Sequence, residues 1–110
     1  MNEYDEKKLS SIKTMQMILE DSKKEVEKDS DSSKMKGSIK RKLIAISEIC
    51  SIMETKKGDY FYLIDESISY SINDLDKDEN PFSGLSLEKL MTTINLVIAL
   101  LKKWSKELEK

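Results

Sequence analysis

The chain has no histidine, one cysteine, one proline and three glycines in 110 residues. Without imidazole, Ser-His, Cys-His and His-metal chemistry are all closed, because histidine is the commonest general base and nitrogen ligand. The single cysteine, Cys50, has no partner for an intramolecular disulfide, so a secreted disulfide scaffold is ruled out. So little glycine and proline suits long helices with short connections and disfavours an all-β domain. The longest charge-free run, Leu90 to Leu101, is twelve residues, well short of the ~20 that a membrane span needs. Met1 to Glu6 is acidic and gives no apolar core for a signal peptide. A soluble, cytoplasmic protein is therefore expected. Arg41 is the only arginine among nineteen cations, a bias that AT-rich coding produces and that points to a low-GC bacterium, its phages or an AT-rich virus.

What is present is charge and helical periodicity. Charged residues make up 36% of the chain but nearly cancel, at −2, while 38% of residues are hydrophobic. That is enough for one modest core, so residues 1–110 are read as a single helical domain. The first helix is expected over about 4–28, with Ile12, Met15, Leu19, Ser22 and Val26 at spacings of three and four and Leu9 and Ile18 widening the stripe. Asp29 to Ser33, without an apolar residue, reads as the connection. The second helix is expected over about 34–57, with the stripe Ile39, Leu43, Ile46, Cys50 and Met53. Ala45, Ile49 and Ile52 form a second flank that suggests two neighbours. Gly58 suits the left-handed position after a helix, and Asp59 a following cap.

Residues 60–72 permit two readings. As a helix they align Phe61, Ile64, Ile68, Ser71 and Leu75; as a β-hairpin, Tyr60 to Ile64 and Ser67 to Ile72 flank an Asp65-Glu66 turn. The helix is favoured, because an isolated hairpin is marginal between helical neighbours. It gives an all-α, four-helix antiparallel (up-down) bundle with helices at about 4–28, 34–57, 59–76 and 86–109. The alternative is three helices with a hairpin at 60–72. In the last helix Leu87, Leu90, Met91, Ile94, Val97, Ile98, Leu101, Trp104 and Leu108 form the core face, with Ser86 as the cap and Trp104 plugging one end of the bundle.

Asp74 to Asn80 is rich in oxygen ligands but fails as a calcium loop. Counting from Asp74, position six is Glu79 rather than Gly, and position twelve is Leu85 rather than Glu. Acidic pairs three apart on facing helices would hold magnesium against phosphates, but Glu3 and Glu6 have no second pair to face. No metal site, no cofactor and no catalytic residue is expected. A metal-dependent enzyme using Asp74, Asp76, Asp78 and Glu79 is the least favoured function. Cys50 lies on an apolar stripe and reads as a buried thiol.

Lys34 to Lys42 places five cations in nine residues without an acid, at a helix start where the dipole disfavours them. Lys36, Lys40, Arg41 and Lys42 are thus candidate ligands for an anion such as nucleic acid or an acidic membrane surface. The competing reading is internal neutralisation. If the second and third helices pair so that positions add to about 116, then Lys42, Lys40 and Ser38 oppose Asp74, Asp76 and Asp78. This internal reading is preferred.

In the last helix the face behind the core is neutral. Thr92, Leu96, Ala99 and Leu100 lie there, framed by Glu88 and Lys89 at one end and Lys102, Lys103, Lys106 and Glu107 at the other. A neutral patch with a charged rim is the usual form of a helix–helix contact, so these residues are candidates for self-association or partner binding; the equal alternative is that the first or third helix wraps further round and covers them. In size, helicity and lysine-rich composition the chain loosely resembles bacteriocin immunity proteins and phage-encoded inhibitors, a resemblance carried by no motif. The function expected is a non-enzymatic protein-binding module (inhibitor, adaptor or immunity-type protein), its partner another protein or a second copy in a homodimer.

Overall fold

Four apolar stripes at helical spacing become four helices. The structure, a computed structural model, describes residues 3–28, 32–53, 60–77 and 84–109. They form α1 (Glu3–Lys28), α2 (Ser32–Ile52), α3 (Tyr60–Lys77) and α4 (Gly84–Leu108). The hairpin alternative at 60–72 is wrong: that segment lies inside α3. Its stripe residues at 61, 64, 68, 71 and 75 meet the core only at helical period, and all five are buried.

Side-chain contacts show the helix directions. Ser38 and Lys42, early in α2, reach Glu25 late in α1, whereas Cys50, late in α2, meets Met15 of α1. Lys40 of α2 pairs with Asp76 near the end of α3, and Ser47 with Asp65 nearer its start. Tyr60 and Phe61 open α3 against Trp104 near the end of α4. Neighbours in sequence are therefore antiparallel. α1 also packs on α4, while the diagonal pairs α1/α3 and α2/α4 make no close approach among the described residues. The result is a square up-down bundle.

The core holds the stripe residues read from the sequence. Ile12, Met15, Leu19, Ile39, Leu43, Ile46, Cys50, Ile94 and Leu101 are fully buried, and Met35 joins them. Two stripe positions are serines, Ser22 and Ser71, and both are buried. Each hydroxyl donates to the carbonyl one turn back, Ser22 to Ile18 at 3.0 Å and Ser71 to Ser67 at 3.2 Å. Neither therefore carries an unmet donor into the core.

Several expectations need correction. α2 begins at Ser32, so Ser32 and Ser33 belong to the helix and not to the connection. α4 begins at Gly84, which puts Ser86 inside its first turn rather than before it. Ile52 does not cover a neighbour; it is 78% exposed. At 100° per residue it points well away from the buried arc centred on Ile39, Leu43 and Ile46. The expectations for the end of the second helix at 57 and for Gly58, Asp59, Asp78 and Glu79 lie outside the described residues. No helix among the described residues is long and apolar enough to cross a membrane.

Candidate functional site

The seam between α3 and α4 is built from one end. Trp104 is buried, with its ring 4.6 Å from Phe61 in an edge-on arrangement and 5.0 Å from Tyr60. Tyr60 then carries its phenol out to the surface, where Oη donates to Glu107 Oε2 at 3.3 Å. Trp104 thus plugs this end of the bundle, as its place on the core stripe implies. These contacts fix the register of the two helices: positions across the seam add to about 165.

From the Tyr60–Glu107 contact two rows of side chains run up the outer edges of the seam. On α3, spacings of three and four carry Tyr60 to Leu63, Ser67, Tyr70 and Asp74; on α4 the same spacings carry Glu107 back to Lys103, Ala99, Leu96, Thr92 and Lys89. Leu63 is 44% exposed, Tyr70 67% and Leu96 65%. The register puts Tyr70 level with Asn95 and Leu96, and Leu63 level with Lys102 and Lys103. Three large apolar side chains therefore sit open to solvent on one face of the bundle, where isolated exposed residues would be unremarkable but a shared face is not.

Of the four residues singled out on α4, Thr92, Leu96 and Ala99 are exposed on this face. Leu100 is not part of the open surface: it is half-buried and packs against the core. It shares the edge of α4 that carries Trp104 and Glu107, so the helix that covers it is α3. Leu63 and Tyr70 escaped sequence reading. Tyr60, Phe61, Tyr62, Leu63 and Ile64 are apolar without a break and mask the period; once α3 is helical, the row from Tyr60 to Asp74 identifies them.

The basic candidates are split up by the fold. Lys40 forms an ion pair with Asp76, the partner that pairing at about 116 predicts. Lys42 does not reach Asp74. It pairs with Glu25 of α1 at 2.5 Å, and Ser38 donates to the same carboxylate oxygen at 3.0 Å. The reason is angular: Ser38, Lys42 and Ile49 share the edge of α2 next to α1, while Lys40 and Ser47 share the edge next to α3. Lys36 is half-buried and Arg41 exposed. Lys36 lies one turn before Lys40 on the same edge of α2, so the cations divide between the edge facing α3 and the edge facing α1.

Among the described residues no group of three or more Cys, Asp or Glu side chains is placed to hold a metal ion. Cys50 is fully buried, and burial first, then the nearby negative charge of Asp65, pushes its thiol up to about 12. Such a thiol is protonated and unreactive at neutral pH. A shallow, open depression of about 370 Å³ lies on the outside of α2, lined by Ile44, Ser47, Glu48, Ser51, Ile52 and by Ile72 of α3. It is open to solvent, and its lining residues are half polar and half apolar. Comparison with protein-family models, with curated proteins and with solved structures finds no match to the chain.

Proposed function

We propose that the protein is a small non-enzymatic binding module of the cytoplasm, an inhibitor, adaptor or immunity-type protein whose outer face of α3 and α4 docks on a protein surface, that of another protein or of a second copy of itself. The observation that carries this reading is the shared exposure of Leu63, Tyr70 and Leu96 beside the neutral Thr92 and Ala99. Full burial of such a side chain is worth roughly 1.5–3 kcal/mol, and at 44–67% exposure each of the three forgoes about half of that, all on one rigid scaffold. Lys89, Lys103, Glu66 and Asp74 supply a polar rim, and an apolar centre with a charged rim suits a helical docking surface. The runner-up, an anion-binding surface of Lys36, Lys40, Arg41 and Lys42, is weakened by the ion pairs that Lys40 and Lys42 make within the bundle.

The test is site-specific photo-crosslinking in the cells that make the protein. A photo-reactive residue at position 96 or 63 is expected to give discrete adducts, and one at the exposed Glu20 of α1 is expected to give none. Equal labelling at all three positions, or none at 96 and 63, overturns the proposal.

A further inference from the structure

The charges on this face identify its occupant. Resting on the reading above, we propose that a second copy of this chain covers it, related by a two-fold axis parallel to the helices, so that α4 of each copy lies over α3 of the other.

Along this face the described charged side chains of α3 are acidic, the exposed Glu66 and the half-buried Asp74 at the seam edge. On the α4 half cations outnumber acids: Lys89, Lys102, Lys103 and Lys106 are exposed against Glu88, while Glu107 already accepts from Tyr60, and Lys89 and Lys103 lie nearest α3. Two ways of apposing identical faces keep a two-fold axis. With the axis across the helices, α3 would lie on the partner's α3 and α4 on the partner's α4. Acid would then meet acid, and lysine would meet lysine. With the axis along the helices, each basic helix lies over an acidic one at the same level. Leu96 then falls against the partner's Tyr70, and by symmetry Tyr70 against the partner's Leu96. Lys89 comes to within about two residues' rise of the partner's Asp74, and Lys103 to within about four of Glu66, which is ~3 and ~6 Å along the axis. Both gaps are within reach of a lysine side chain. Opposed signs select this arrangement over the other, as charges beside a helical seam do in coiled coils.

The size of the face sets the strength. α3 has 18 residues, about 27 Å of helix. Two helices are about 20 Å broad, so the pair of faces buries roughly 1,000 Å² in total, the lower limit for a specific interface. A reversible dimer is expected, and it forms as concentration rises.

Sedimentation equilibrium of the purified chain tests this directly. Wild type is expected to dimerise with concentration, and Leu96→Glu to raise Kd at least about 30-fold, the effect of losing a central anchor. Two charge variants extend the test and do not depend on Leu96→Glu folding. Lys89→Glu with Lys103→Glu, and Glu66→Lys with Asp74→Lys, should each be monomeric alone and should form a heterodimer on mixing. Orientation is read by oxidation in a Cys50→Ala background. A Tyr70→Cys chain mixed with a Leu96→Cys chain should cross-link, and Leu96→Cys alone should not.

A wild-type chain that stays monomeric at every concentration overturns the proposal and leaves adducts at position 96 to report a different partner. Efficient cross-linking of Leu96→Cys alone overturns the orientation. Monomers together with no adducts at 96 sink the docking face itself.

Discussion

Truncating Trp104 tests how the face is held in place. Its indole is buried against Phe61 and Tyr60, and those two rings open α3. Trp104→Ala deletes the largest side chain at this end of the seam and leaves a cavity that rigid helices cannot close. Substitutions of this kind cost about 3–5 kcal/mol, out of a total stability of only ~5–15 kcal/mol for a domain of this size. The edge-on ring pairs account for roughly 0.5–1.5 kcal/mol each within that figure. The melting temperature should fall by about 12–20 °C, taking ~4 °C per kcal/mol for a chain of this length. Trp104→Phe keeps a ring against Phe61 and should cost about 1–2 kcal/mol. Because Trp104 is the only tryptophan, unfolding of the variants is followed by far-ultraviolet circular dichroism in urea and not by indole fluorescence. A loss below ~1 kcal/mol for Trp104→Ala would refute the reasoning, since an enclosed indole cannot be removed so cheaply.

Other outcomes follow from individual groups. Cys50 should resist thiol reagents in the native protein near pH 8 and react at once in denaturant, and fast native labelling would contradict its burial. Its pKa is raised on folding to about 12, so the contribution of the protonated thiol to stability is intact below the unfolded value. That contribution is lost as pH rises from there towards the folded value, and Cys50→Ala should lessen the alkaline fall in stability. Asp76→Asn should cost only about 0.2–1 kcal/mol at low salt and less at high salt, because its pair with Lys40 is well exposed. Glu25→Gln, which disturbs both Lys42 and Ser38 in a more buried setting, should cost more than Asp76→Asn in the same urea titration. Calcium or magnesium at millimolar levels should leave the melting temperature unchanged, and a clear rise would reopen a metal role for the acidic residues around Asp74.

Most of the fold is legible in the sequence because burial and helical period coincide. Ile12 to Ser22, Ile39 to Met53 and Leu90 to Trp104 each repeat at three and four, and each such stripe is where the structure buries its side chains. Legibility fails where the pattern carries no period. Tyr60 to Ile64 is apolar at every position, so helix and strand fit alike until tertiary packing selects the helix. It fails again where one residue has two acceptors within reach. Pairing of helices two and three puts Asp74 opposite Lys42, but Lys42 leans toward α1 and takes Glu25. A helical wheel carries that signal, because Ser38 and Lys42 lie on a different edge from Lys40. Leu96 was visible as an apolar residue on the back of its helix, whereas Tyr70 needs the register of α3 against α4 before it joins the same face.

The most direct test of the two-fold dimer on this face is the paired behaviour of Leu96→Glu in folding and in association. At 65% exposure Leu96 contributes little to the core, so the variant should keep its helical spectrum and a melting temperature within about 2 °C of wild type, as surface changes near ±0.5 kcal/mol do. In the same samples, light scattering after size exclusion should show it only as the free 12.7 kDa chain, with the larger complexes formed by wild type lost. A variant that unfolds, or one that stays folded and associates as wild type does, would contradict the account.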